Sequence, residues 1–265
     1  MSIAKLYTNE VKKQLGIYFA NWMPGDPIEL GDYGIMDGNI FIHKGTLQKD
    51  YPELAGTVIK YVTDTTTDQK EFKSESGTEV RFHAKGSVTA AGTTLAKATL
   101  EINFEGKDSI FFNAAECTTN RIANKVEVGA IIKELFRQDR WKKEYCVVTD
   151  LVQAGKTIVA ISQARNASIS FEAESPAIDN ISLSDASIGL GLTSEKNIGF
   201  KIEAADGLKI LMGLCKIKNL FPWTSPDFKP KFFQTESVRR IIENHDDFKT
   251  ENSMDELAFG QIGKE

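Results

Sequence analysis

From Asn166 to Ala204 the chain reads NASISFEAESPAIDNISLSDASIGLGLTSEKNIGFKIEA, and apolar and polar positions alternate along it. Ala167, Ile169, Phe171 and Ala173 share one face, while Ser168, Ser170, Glu172 and Glu174 share the other. After a break at Ser175-Pro176, Ile188, Leu190 and Leu192 alternate with Ser187, Gly189, Gly191 and Thr193. A period of two belongs to a strand, whose successive side chains point to opposite faces of a sheet. The same period runs through Val80, Phe82, Ala84, Gly86 and Val88, opposed by Glu79, Arg81, His83, Lys85, Ser87 and Thr89. Beyond a turn at Ala91-Gly92, Ala98, Leu100, Ile102 and Phe104 alternate with Lys97, Thr99, Glu101, Asn103 and Glu105. Residues 79–105 therefore predict a long antiparallel pair with one polar face. Val80, Phe82, Val88, Leu100, Ile102 and Phe104 are expected to form one buried face of it.

The rest of the chain sets the context. Residues 2–20 predict a helix through Ile3, Leu6, Tyr7, Val11, Leu15 and Tyr18, with Lys5, Lys12 and Lys13 outside the apolar stripe. Pro24, Gly25 and Pro27 then open a loop, and a hairpin is expected around Asp37-Gly38 between Ile35-Met36 and Ile40-Phe41-Ile42. TTNRIANKVEVGAIIKELFRQ returns to helical spacing through Ile122, Val126, Ile131, Leu135 and Phe136, with Thr118 or Thr119 as its cap. EYCVVTDLVQAGKTIVAIS predicts two strands around a turn at Gly155, and LKILMGLCKIK a buried strand. A proline-punctuated exit, FPWTSPDFKPKFF, precedes a short helix in TESVRRIIENH and an acidic tail. Helices are not interleaved strand by strand, so the expected class is α+β: a large twisted antiparallel sheet with a few flanking helices, as a single domain plus tail. Residues 1–230 form the core in this reading, and 231–265 a C-terminal helix and tail.

Composition narrows the function. The 265 residues carry a net charge of −5, whereas nucleic-acid binders gather a basic surplus on one face. No window is apolar enough for a membrane-spanning helix, the first residues do not read as a secretory signal, and Ser2 replaces the glycine that myristoylation needs. Three cysteines without paired spacing fit a reducing cytoplasm. His43, His83 and His245 lack metal-ligand partners at helical spacing, and there is no nucleophile elbow or phosphate loop. Cys146 sits in an apolar strand and reads as a core residue. Asp26, Asp32 and Asp37 read as turn residues rather than calcium ligands. No catalytic residue, metal site or cofactor is expected.

The stretch EYCVVTDLVQAGKTIVAISQARNASISFEAE resembles the gasdermins, whose corresponding segment starts with a VVTE-like motif. Here the start is VVTDL, and GTEVRFHAKGSV…KATLEINFEG occupies the place of that family's first extended hairpin. The resemblance follows the order of elements over roughly residues 70–217. It implies a non-enzymatic chain held inactive by its C-terminal segment. Proteolysis removes that segment, and the core moves from the cytoplasm to membrane lipids and oligomerises into a β-barrel pore, as in bacterial defence. The membrane hairpins implied are 79–105 and 166–204, with Val80, Phe82, Val88, Leu100, Ile102, Phe104, Ile169, Phe171, Ile188, Leu190 and Leu192 facing lipid. Two departures stand out. Bacterial members carry a cysteine near the N-terminus and here the first is Cys117, and the tail is much shorter than the repressor domain of animal members.

Three readings follow from these residues: a pore-former with homo-oligomers and an activating protease as partners, a cytosolic binding or scaffolding module whose sheet is a platform, and a hydrolase assembled from distant residues. In the first, Lys5, Lys12 and Lys13 meet anionic headgroups, and Leu257, Phe259 and Ile262 anchor an autoinhibitory tail through a polar linker at 249–253.

Overall fold

The computed structural model describes residues 2–22, 27–54, 59–73, 77–90, 93–175, 191–204, 207–219 and 257–263. Along them run α1 (Ile3–Leu15), β1 (Tyr18–Ala20), β2 (Asp32–Asp37), β3 (Ile40–Thr46), α2 (Leu47–Asp50), β4 (Tyr61–Lys73), β5 (Thr78–Ala90), β6 (Thr93–Phe104) and β7 (Ile110–Ile122). After them come α3 (Lys125–Arg137), β8 (Cys146–Ala154), β9 (Lys156–Ser162), β10 (Ala167–Ser175), β11 (Gly191–Lys196), β12 (Ile198–Ala204), β13 (Leu208–Asn219) and β14 (Leu257–Gln261). The fold is α+β. A large antiparallel sheet links β1, β13, β8, β7, β9 and β12 by successive pairing, with β2, β3, β4 and β14 also joined to it, and a second sheet is ordered β11-β10-β6-β5.

The first helix is shorter than its apolar spacing predicts. Ser2 caps it, accepting from the Lys5 N–H at 3.2 Å. Gly16, at φ 64°, ends it and turns the chain, so that Tyr18–Ala20 pairs with β13 instead of continuing the helix. Tyr7 and Val11 are buried with Phe112, Val159, Ile161 and Ile210 beneath the helix.

Two further expectations are corrected. The helical reading of TTNRIANKV begins too early: Thr118, Thr119 and Ile122 belong to β7, and Asn124 occupies the cap position of α3. The buried stripe of α3 is Val128, Gly129, Ile132 and Leu135, leaving Val126 87% exposed. Pairing of β7 with β4 on one edge and with β8 and β9 on the other overrides a weak helical spacing.

Nor is there a hairpin at Gly155. The partners Arg121↔Asp150, Thr118↔Gln153, Ala115↔Lys156 and Ile110↔Ile161 keep one register, so β8 and β9 are two halves of one long strand laid against β7. At the joint, Glu116 adopts φ 54°, and a Cβ on Gly155 would lie 2.9 Å from the Glu116 Cβ. Glycine there admits a close approach that no side chain allows. On the other edge β13 continues along β8 and β12 along β9, with the Gly207 N–H donating to the Ala154 carbonyl between them.

The β2–β3 hairpin forms, but Asp37 pairs with Ile40, so its turn is Gly38-Asn39 rather than Asp37-Gly38. Within it, a Cβ on Gly34 would lie 2.1 Å from the Ile42 carbonyl oxygen. Gly34→Ala is expected to destabilise the chain by about 1–3 kcal/mol, the range for forcing atoms into packed space. Thermal unfolding measures this, and an unchanged midpoint contradicts the close approach.

Candidate membrane-insertion surface and C-terminal strand

The second sheet is built on β6. It pairs with β5 from Thr78↔Phe104 to Ala90↔Thr93, and with β10 from Ala167↔Phe104 to Ser175↔Ala96. β10 pairs in turn with β11 from Ser168↔Lys196 to Glu172↔Gly191. These registers set residues of one parity in rows: Phe82, Leu100, Phe171 and Leu192 in one, Val80, Ile102 and Ile169 in the next. Leu100, Ile102, Phe104, Ile169 and Phe171 are fully buried against Phe111 of β7 and Ile158 and Ala160 of β9, with Val80 half-buried beside them. The side chains of Phe82, Val88 and Leu192, and Ile188 and Leu190 altogether, lie outside the described residues.

This face holds the two sheets together. At about 1.5–3 kcal/mol per buried apolar side chain, its five buried residues contribute roughly 8–15 kcal/mol of apolar transfer energy. Parting the two sheets in water would expose these side chains and lose that energy. Its opposite face is polar. Arg81 and Glu79 are exposed and paired at 2.7 Å, and that contact holds the Glu79 carboxyl below its ordinary pKa.

The C-terminal residues form a strand where the sequence suggested an irregular tail. β14 adds to the edge of β13 with partners Cys215↔Gln261, Ile217↔Phe259 and Asn219↔Leu257. Beyond it, the Ile262 N–H donates to the Leu214 carbonyl at 2.8 Å. Leu257 and Phe259 pack into the cluster that includes Val128, Ile132 and Leu135 of α3 and Ile217 of β13. Ile262 packs with Phe19, Met212 and Leu214. Phe259 fits because α3 carries glycine opposite it, a Cβ on Gly129 falling 2.6 Å from the Phe259 Cβ. The expected helix in TESVRRIIENH and the linker at 249–253 lie outside the described residues.

The lysines of α1 divide. Lys5 and Lys13 are exposed, with Lys13 3.6 Å from the Glu10 carboxylate. Lys12 is half-buried; its ammonium lies 3.7 Å from the centre of the Phe19 ring and donates to the Ile262 carbonyl at 3.4 Å. A cleft of about 780 Å³ separates α1 from the β2–β3 hairpin and β14, and Lys12, Lys13, Lys216 and Ile262 line it.

The three cysteines and several polar side chains of the core have structural partners. Cys117, Cys146 and Cys215 are buried, and burial pushes the Cys117 thiol up to about 11 and Cys146 up to about 12. The Thr149 hydroxyl lies 3.3 Å from the Cys215 sulfur and donates to Asp150 at 2.8 Å, where Asp150 also meets Lys125 at 2.6 Å. Asp32 accepts from the Thr46 hydroxyl and the Glu29 N–H, both at 2.9 Å, which is the turn role its loop suggested. His43 stands 3.6 Å from the same carboxylate. Sequence spacing did not signal the Lys125–Asp150 pair or the seat of Phe259 on Gly129, because both join residues far apart in the chain. Among the described residues no helix is long and apolar enough to cross a membrane, which says nothing about strands.

No protein-family model matches the chain, and no curated protein matches it. Among solved structures it is similar to one described as the cryo-EM structure of the gasdermin A3 membrane pore, at 12% identity and a TM-score of 0.25, covering 88% of this chain and 99% of that chain. A likeness of that size carries no argument about activity.

Proposed function

We propose that the chain is an autoinhibited, non-enzymatic pore-forming protein. Its small sheet leaves the body, inserts into a membrane and closes with copies of itself into a β-barrel. The observation that carries this reading is the small sheet itself. Its strands β5, β6 and β10 alternate, the apolar side chains of β6 and β10 are buried against the main sheet, and β5 and β6 are 13 and 12 residues long. A membrane-spanning strand needs about 9–11 residues with lipid-facing and lumen-facing side chains in alternation. The face now set against β7 and β9 becomes the lipid face, and the polar face becomes the lumen. Unpaired strand edges cost several kcal/mol per backbone group in hydrocarbon. Four strands cannot close on themselves, so the active state is a homo-oligomer.

In this reading β14 is the restraint. It holds the α1–β13 side of the body, and its departure frees Lys12 from the Ile262 carbonyl and opens the cleft lined by Lys13 and Lys216 to anionic headgroups. Cleavage in 249–253 by an activating protease is the activating step, and the protein then moves to the membrane. Dye-loaded liposomes rich in anionic lipid test this with a full-length chain carrying an engineered protease site in that segment. The expected result is dye retention with the intact chain and release after the cut. Retention after a complete cut, with the core still folded, favours a binding module that uses the sheet as a platform.

A further inference from the structure

We propose that the groove between the β13 edge and α3 is a strand-accepting site for the C-terminal strand of a second copy of this chain as well as for the chain's own. The seating of β14 is a form of peptide recognition. Main-chain pairing from Cys215↔Gln261 to Asn219↔Leu257 supplies a generic attraction, and the alternate side chains Leu257 and Phe259 supply selectivity. Gly129 makes the groove selective, because the space a Cβ would take is filled by Phe259. On the solvent side the Lys218 ammonium also reaches the Gln261 carbonyl at 2.6 Å, a contact that the main-chain pairing does not require.

None of these contacts depends on which copy supplies the strand. The covalent connection favours the chain's own strand, and that connection is long in sequence. Asn219 and Leu257 are paired neighbours, yet residues 220–256 lie between them in sequence. Fully extended, that stretch would reach about 120 Å, against a radius of gyration of about 18 Å for a folded chain of this length. β14 can therefore reach the groove of an adjacent molecule. Exchange of an identical element between protomers makes the same contacts twice and needs no new surface. The balance is set by effective concentration, roughly millimolar for short flexible tethers and lower for longer ones. Exchange is therefore expected at high local concentration, as when copies crowd on one surface. This inference rests on the β13–β14 pairing and holds whether or not the chain permeabilises membranes.

Lys218 and Ala258 are register partners. A full-length chain carrying both Lys218→Cys and Ala258→Cys reports pairing within one molecule by an internal disulfide. Two full-length chains, one with Lys218→Cys and the other with Ala258→Cys, can join these positions only between molecules. Mixed at about 1 mM and oxidised, they are expected to yield a covalent heterodimer of twice the 29.4 kDa chain mass. Adding Gly129→Ala to the Lys218→Cys chain should abolish it. The proposal is overturned if the double variant closes internally while the mixture gives no heterodimer. It is also overturned if the heterodimer forms regardless of Gly129→Ala, which marks chance collision, or if the double variant does not close, which removes the pairing itself.

Discussion

Ile102→Asp is expected to lower the stability of the chain by at least about 3 kcal/mol. Ile102 is completely buried, with Val80 and Ile169 as its register partners and a shared cluster of Phe104, Phe171, Phe111 and Ile158. A carboxylate there loses its water and gains only apolar neighbours, so it is forced to the neutral form and still leaves its polar atoms unpaired. For a domain of this size the loss corresponds to a fall of roughly 6–12 °C in Tm. Ile102→Val, which removes one methylene and adds no polar atom, should cost only about 0.5–1.5 kcal/mol. A chain in which both substitutions leave Tm unchanged does not bury the small sheet on the large one.

Replacing Lys5, Lys12 and Lys13 together by Gln is expected to weaken liposome binding of the cut protein by about a hundredfold. Each lysine near an anionic surface is worth about 1 kcal/mol, and 1.4 kcal/mol is a factor of ten in affinity. The effect should fade as salt rises, because the attraction is screened. Lys12 sets a condition on the result: its ammonium serves the Ile262 carbonyl while β14 is docked, so the intact chain should show a smaller effect than the cut one. Flotation of liposomes over a salt series measures both. Equal binding by the triple variant at every salt concentration removes α1 from the membrane contact.

Alternation makes β5, β6 and β10 of the second sheet legible in the sequence. The parity of Leu100, Ile102, Phe104, Ile169 and Phe171 assigns them one face, and the structure buries them together. The run LKILMGLCKIK likewise reads as a buried strand and lies between neighbours on both edges. Parity says nothing about partners, however. The chain text around Gly155 looks like a turn between two strands, and only pairing with β7 reveals one continuous strand. β4 went unseen because YVTDTTTDQKEFK has no apolar alternation; it is an exposed edge strand whose charges deter further pairing. The strand character of Leu257–Gln261 has a different origin, since it depends on an edge supplied by residues 215–219. The pairing of Lys125 with Asp150 and the fit of Phe259 over Gly129 are products of folding, and no local signal encodes them.

The proposed pore requires the small sheet to leave the body and cross a bilayer with its parity intact. Environment-sensitive labels placed one at a time at residues 97, 98, 99 and 100 of β6 test it most directly, in the cut protein mixed with liposomes whose lipid tails carry a collisional quencher. Labels at Ala98 and Leu100 are expected to be quenched from within the lipid while those at Lys97 and Thr99 remain in water. Labels that show no lipid quenching, or that are quenched equally at all four positions, would contradict it.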